Sequence, residues 1–198
     1  MKWKAVLFTL ILSMLLGAPA AQAGAGQWEI DQDHTNIYFD VRHTFVTVRG
    51  MFERFSGTVV FDPENLEAAR LDFEVNVASI NTNITRRDDH LRSDDFFSAR
   101  SFPRMTFVTS SIKHVQGDEY TLEGDLTIKD VTKRISVPLT YFGKRENPLK
   151  PEQMVAGIEV AFSLDRLEYS VGTGQFFEMG IVGREVNVLV ALEILKDK

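Results

Sequence analysis

Apolar and polar residues alternate along most of this chain, and this period of two constrains its fold more than any other feature. In Thr35–His43, for example, Ile37, Phe39 and Val41 share one face, and mostly polar residues share the other. Because successive side chains of a strand point to opposite sides, such a segment buries one face. The pattern gives these strand candidates: Gln27–Asp31, Thr35–His43, Met51–Phe61, Arg70–Val77, Arg104–His114, Tyr120–Ile128, Ile135–Tyr141, Ile158–Leu164 and Glu185–Ile194.

Turn-forming residues separate these segments, as at Asp62–Asn65 and Gln116–Asp118. Many strands joined by short turns predict an antiparallel all-β domain, and both a sandwich and a barrel fit the pattern. The long strands, nearly all with one apolar face, favour a barrel of about eight strands. Pro138 lies within a candidate strand and has no N–H to donate, so it requires a bulge or an unpaired position.

One segment interrupts the strands with a dense mixture of charged and aromatic residues, Ala78–Phe107. Thr85 precedes Asp88 by three residues, which approximates a capping box and predicts a short helix. Pro103 ends any helix before the next strand. We therefore expect a helical insertion in the barrel.

The first residues have the form of a secretory signal. Lys2 and Lys4 precede an apolar run, Ala5–Leu16, that is short for a bilayer span. Ala21–Ala23 has the small residues of a cleavage site, so we predict a signal peptide over 1–23 and a single domain over 24–198. The expected location is periplasmic or secreted.

Charge and cysteine content exclude several classes of function. Without Lys2 and Lys4 the chain carries 20 basic and 28 acidic side chains, a net charge of −8 at pH 7. Such an acidic domain is a poor candidate for nucleic-acid binding. The chain has no Cys, which excludes thiol nucleophiles and cysteine-based metal sites. No later segment is apolar and long enough for stable membrane insertion.

Catalytic and metal-binding patterns are weak. His90 lies beside Asp88 and precedes Ser93 by three residues, but triad members usually converge from distant segments. Packing or hydrogen bonding on the helix surface explains His90 better. The four His show no metal-ligand spacing, so we predict neither catalytic residues nor a metal.

Aromatic and aliphatic side chains fill the predicted inward faces. An eight-stranded barrel can pack such side chains into a solid core or leave room for a small ligand. Periodicity does not distinguish these alternatives.

Several motifs, taken in order, resemble the YceI-like family of small secreted lipid-binding β-barrel proteins. They are Trp28–Asp31 with His34, Phe39 to His43, Gly50 with Phe52, Phe55 with Gly57, Phe61–Asp62, Ala78–Thr82, Arg87–Ser93, Asp95–Phe97, Phe102–Pro103, Phe107, Gly124–Lys133, Arg166 and Val182–Val186. One difference is that Tyr169–Ser170 stands where the family often has Phe-Gly after the late Arg, and Gly172 follows two residues later. The resemblance therefore does not predict the conformation of this turn or the shape of the barrel mouth beside it.

The resemblance implies an extended, lipocalin-like antiparallel barrel with an elongated apolar tunnel for a long isoprenoid chain, such as a polyprenyl phosphate or a quinone tail. No other cofactor is expected. The candidate ligand-binding residues are Phe39, Val41, Phe52, Phe55, Phe73, Val75, Phe107, Leu126, Ile128, Ile158 and Phe162. Because Arg suits phosphate, the candidate head-group residues are His43, Arg49, Arg87, His90 and Arg92. In an alternative, Arg87 and Arg92 pair with Asp88, Asp89 or Asp94 and so hold the helical insertion against the barrel. This structural role is favoured for Arg87 and His90.

Three functions remain open at this point. The first is a protein that sequesters or transports an isoprenoid-type lipid. The second is an enzyme that acts on a lipid head group through His90 and Asp88. The third is a ligand-free barrel with an interaction or stress role. A homodimer is compatible with the sequence.

Overall fold

An antiparallel sheet closes on itself in the computed structural model, which describes residues 26–198. Its strands are β1 Gln27–Ile30, β2 Asn36–His43, β3 Val46–Phe52, β4 Phe55–Val60, β5 Arg70–Asn76, β6 Ile80–Asn81, β7 Arg104–Gln116, β8 Glu119–Ile128, β9 Val131–Asn147, β10 Lys150–Asp165 and β11 Val182–Asp197. The helices are α1 Thr85–Arg92 and α2 Gln175–Glu178, with short 3-10 turns at Leu66–Ala68, Val77–Ser79 and Arg166–Tyr169. The predicted signal peptide, 1–23, lies outside the described residues and stays a prediction.

Strand β1 closes the barrel because it pairs on both sides. Trp28 lies opposite Val59 of β4, and Ile30 lies opposite Ile194 of β11. In three places two consecutive strands form one continuous path with a bend between them, namely β1 with β2, β3 with β4, and β5 with β6. The eleven strands therefore occupy eight positions around the barrel. The predicted antiparallel all-β barrel is confirmed, and the sandwich alternative is wrong.

The segment predicted as one strand, Met51–Phe61, is broken between β3 and β4. At the break the backbone N–H of Glu53 donates to the carbonyl of Ser79 at 3.2 Å, and the backbone N–H of Arg54 donates to the Ser79 hydroxyl at 3.0 Å. This tertiary partner lies far along the chain, so no local pattern signals the break. Residues 46–50, absent from the predicted strands, form a hairpin with β2.

Pro138 occupies a place where β9 is paired on one side only. It lies opposite Thr121 of β8. The register between β9 and β10 ends at Leu139, opposite Val160, immediately before the proline is reached. The unpaired position expected for this residue is therefore present.

One end of the barrel, here called the packed end, is filled by aromatic and aliphatic side chains. Trp28, Phe61, Tyr120 and Tyr141 meet there, and the Phe61 ring lies 5.4 Å from Tyr120 and 5.0 Å from Tyr141. The indole N–H of Trp28 donates to the Phe61 carbonyl at 2.9 Å, which satisfies the buried polar atom.

The opposite end is covered by two segments, residues 82–103 and 166–181, here called the cap. The first contains α1, and the second contains α2. In the first, buried Asp88 accepts hydrogen bonds from the backbone N–H of Thr82 at 2.9 Å and from its hydroxyl at 2.5 Å. Asp88 thus reaches back beyond the helix instead of forming a capping box with Thr85. None of the helices in residues 26–198 has the length and apolar character of a membrane span.

Candidate ligand cavity

An apolar cavity lies between the packed end and the cap. Its volume is about 200 Å³, measured as the space open to the centre of a water molecule. This is more than ten times the roughly 10–15 Å³ that one buried water needs. All lining residues are apolar except Tyr38, Thr106 and Arg166. The wall therefore offers a ligand little besides hydrocarbon contact.

Most of the predicted ligand-binding residues lie on this wall. They are Phe39, Val41, Phe52, Phe73, Val75, Phe107, Leu126, Ile128 and Phe162. Two do not: Ile158 is fully buried in the packed end, and Phe55 is partly buried against other core side chains but does not line the cavity. Alternation assigns a residue to the inward face but says nothing about its depth along the barrel axis, which explains these two differences.

Other wall residues were not singled out from the sequence. Val186, Val188 and Val190 come from β11, whose sequence is apolar on both faces near Val188–Leu192 and so obscures the alternation. Leu91, Phe96 and Phe97 come from the cap. Only the fold shows that this charged insertion turns three apolar side chains inward.

The two segments of the cap meet over the cavity through aromatic rings. Phe96 and Phe176 stack with centroids 5.5 Å apart, and the His90 ring contacts both edge-on. The ammonium group of Lys129 donates to the Phe96 carbonyl at 3.1 Å and to the Ser170 carbonyl at 2.7 Å. The cap is therefore one packed unit, although its two parts are far apart in the sequence.

Arg166 is the charged residue of the wall, and only 5% of it is exposed. Its guanidinium donates to the carbonyls of Gly183, Val171 and Val182 at 2.8, 2.6 and 3.2 Å. The group also lies 5.8 Å from the Phe96 ring centroid, within cation–π range. Burial lowers the pKa of Arg166, an effect opposed by the attraction of Asp165. Arg166 thus ties the second cap segment to the start of β11.

Gly172 gives this guanidinium its space. A Cβ at Gly172 would lie 2.3 Å from Nη1 of Arg166, and the residue has a φ of +91°. Gly143 has a similar φ of +88° but no atom within 4 Å of such a Cβ. The two glycines therefore share a backbone conformation and differ in crowding.

We expect Gly172→Ala to destabilise the protein more than Gly143→Ala does. Both substitutions place a side chain at positive φ, at a cost of about 1–2 kcal/mol. Gly172→Ala should add about 1–3 kcal/mol because it displaces a donor from buried carbonyls. Urea denaturation of both variants measures the difference. Equal losses would show that the guanidinium moves aside without cost.

The predicted head-group residues do not line the cavity. His43 is exposed at the end of β2. Arg49 forms a two-point ion pair with Asp40 on the outer surface, at 2.8 and 2.7 Å, and this bond lowers the pKa of Asp40. Their ability to bind a head group stays a prediction.

The three candidates from α1 are bound within the insertion. Arg87 donates to the hydroxyl and the carbonyl of Thr82, both at 2.7 Å. Arg92 donates to the carbonyl of Ala78 at 3.0 Å and to that of Ile80 at 3.2 Å. His90 lies 2.9 Å from a carboxylate oxygen of Asp95. The contacts of Arg87 and His90 join residues within the first cap segment, so their role in holding the insertion against the barrel stays a prediction. Arg92 pairs with Asp89 at 2.7 Å and also reaches the carbonyl of Ile80 in β6.

One further group of titratable residues converges near the β1–β2 turn. His34 Nδ1 lies 2.9 Å from Asp31 Oδ2 and 3.9 Å from Glu193 Oε1. The hydrogen bond to Asp31 raises the pKa of His34. Glu193 is remote in sequence, so the spacing of the histidines could not reveal this group. The direct contact between Asp31 and His34 is a hydrogen bond within the turn, and it becomes an ion pair when His34 is protonated.

Comparison with known proteins agrees with this architecture. The model of the YceI-like domain matches residues 28–194. A YceI protein of Escherichia coli is 31% identical over 182 residues, which cover 90% of this chain and 92% of that protein. The crystal structure of Burkholderia cenocepacia BcnA aligns with a TM-score of 0.75 at 25% identity, over 85% of this chain and 99% of that one.

A more distant structure shares the fold alone. It is a polyisoprenoid binding domain from Saccharophagus degradans implicated in plant cell wall breakdown. It aligns with a TM-score of 0.64 at 15% identity and covers 88% of this chain and 100% of that one. From the family model and the identity to the Escherichia coli relative, the chain belongs to the YceI-like family.

Proposed function

We propose that this protein binds the long chain of an isoprenoid-type lipid, a polyprenyl phosphate or a quinone-like molecule, and sequesters or transports it. The observation that carries the proposal is the closed barrel with an apolar cavity between the packed end and the cap. The polyisoprenoid binding domain that shares the fold gives further support for the ligand class.

The energetics suit such a ligand. Each methylene group of a ligand that moves from water into the cavity contributes about 0.8 kcal/mol to the binding free energy. A chain of some forty carbons, at about 0.3 kcal/mol per atom, would approach nanomolar affinity if all of it were buried. A cavity of about 200 Å³ encloses only part of such a chain, and that part supplies the binding free energy. The wall presents almost no polar group to orient a head, so the chain itself supplies the binding free energy.

A binding role accounts for the cap residues better than catalysis does. The Asp88 carboxylate is occupied by Thr82, and His90 is paired with Asp95. Neither His90 nor Asp88 lies on the cavity wall. We therefore propose a carrier and not an enzyme. With cleavage after Ala23, it would act in the periplasm or outside the cell.

Native mass spectrometry on protein purified from its own host tests the proposal. We expect a bound lipid mass that disappears after solvent extraction. Geranylgeraniol added to the extracted protein should raise its melting temperature, because a ligand that binds only the folded state stabilises it. The short homologue geraniol is the control and should raise it less. Absence of native lipid together with no shift by geranylgeraniol would contradict the proposal.

A further inference from the structure

The ring of Phe39 on the cavity wall lies beside a glycine. Phe39 in β2 is directly opposite Gly50 in β3, so both positions face inward. A Cβ at Gly50 would lie 2.2 Å from Cζ of Phe39 and 2.7 Å from its Cε1. The ring therefore occupies the space where a side chain at position 50 would stand.

A second pair on other strands repeats this arrangement. Phe107 in β7 lies over Gly124 in β8, where a Cβ would lie 2.3 Å from Cζ of Phe107. That Cβ would also come within 2.6 Å of the Val108 carbonyl, so Gly124 is required by the backbone as well. At Gly50 the three nearest atoms all belong to side chains, which makes it the clearer test.

We propose that the Phe39–Gly50 pair sets the bore of the cavity and thereby selects the width of the chain that enters. While position 50 has no side chain, the ring rests against the wall and leaves the bore open. Any side chain there would displace the ring, because the two cannot occupy the same space. The cavity that Phe39 lines is the adjoining space that can receive it. This inference rests on the proposed lipid-binding function.

The width of the bore decides between two kinds of chain. An isoprenoid chain carries methyl branches along its length, whereas a straight alkyl chain has a narrower cross-section. A ring displaced from Gly50 should therefore exclude the branched chain before the straight one. Phytanol and hexadecanol are suitable probes because they share one saturated main chain and differ in the methyl branches.

Thr82 complicates a simple substitution. Its Cγ2 would lie 2.8 Å from a Cβ at Gly50, and its hydroxyl and N–H anchor Asp88 in the cap. Thr82→Ser removes that methyl group and keeps the hydroxyl. Of the three atoms nearest to a Cβ at Gly50, two belong to the Phe39 ring and the third is Thr82 Cγ2. In the Thr82→Ser background, only the two ring atoms remain to clash with Gly50→Ala.

The experiment compares Gly50→Ala/Thr82→Ser with Thr82→Ser by displacement of a fluorescent apolar probe. We expect phytanol affinity to fall about tenfold, as if roughly two methyl groups were no longer buried. Hexadecanol affinity should fall much less. Adding Phe39→Leu should restore phytanol binding, because the smaller side chain vacates the bore.

Gly157→Ala is the matched control. Gly157 also lies in a strand beside a phenylalanine, Phe142, but on the outer surface, and a Cβ there would lie at an ordinary 3.4 Å. It should leave both affinities unchanged.

Unchanged phytanol affinity in folded Gly50→Ala/Thr82→Ser would overturn the bore inference while leaving the proposed function intact. If the wild type binds neither alcohol, the proposed function itself fails. If the alanine variants do not fold, Phe39→Leu alone decides: the ratio of phytanol to hexadecanol affinity should rise, and an unchanged ratio would refute the inference.

Discussion

Phe162→Glu is expected to destabilise the barrel at pH 7 and to abolish lipid binding. Phe162 is on the cavity wall, where the surrounding side chains are apolar. A buried carboxyl group without a partner has its pKa raised by about 3 units or more, which corresponds to about 4 kcal/mol when it must ionise. Loss of the aromatic contacts adds to this cost. Urea denaturation gives the change in the free energy of unfolding.

The pH dependence separates charge from lost packing. The folded state holds the introduced carboxyl group at a pKa above about 7, whereas the unfolded chain keeps it near its ordinary value of about 4.3. The variant therefore gains stability relative to the wild type as the pH falls from the folded-state pKa towards about 4.3, and the gain levels off below that pH. Phe162→Leu removes the ring without adding a charge and should show no such trend.

Ala161→Glu is the control for position. Ala161 precedes Phe162 in β10 and is exposed on the outer surface. Its free energy of unfolding should change by less than about 0.5 kcal/mol. If Phe162→Glu were as stable as Ala161→Glu at pH 7, the cavity would be open to water at this position.

The inward faces could be predicted because alternation is a local property. Phe39, Phe73 and Phe162 all lie on the wall that their strand patterns indicated. The helical insertion was also predictable, since it interrupts those patterns with charge and proline. The depth of a residue along the barrel axis was not predictable from alternation. For this reason Ile158 was predicted on the cavity wall, although it lies in the packed end.

The polar side of the site could not be predicted because it depends on contacts between distant segments. Arg49 was a head-group candidate, yet its cross-strand neighbour Asp40 pairs with it on the outer surface. Arg166 fitted a family motif but gave no local sign of burial. Its three acceptors become neighbours only when residues 166–171 pack against the start of β11.

Arg166→Ala is expected to loosen the cap and to cost about 3 kcal/mol or more, because each buried carbonyl left without a donor costs about 1–3 kcal/mol. The carbonyls of Val171, Val182 and Gly183 would all lose their donor. Hydrogen exchange should accelerate in the second cap segment, beginning with the amide of Val171, which bonds the Arg166 carbonyl. Urea denaturation and exchange measured by mass spectrometry report the two effects.

Arg184→Ala is the matched control for this prediction. Arg184 is exposed, pairs with Asp165 and lies over the Phe177 ring at 5.6 Å. An exposed ion pair contributes about 0–1 kcal/mol, so this variant should stay close to the wild type. Arg166→Lys keeps the positive charge but replaces the planar group with a single ammonium, which is too compact to serve three carbonyls in the guanidinium's geometry. If Arg166→Lys were as stable as the wild type, charge alone would suffice and the three-carbonyl arrangement would not hold the cap.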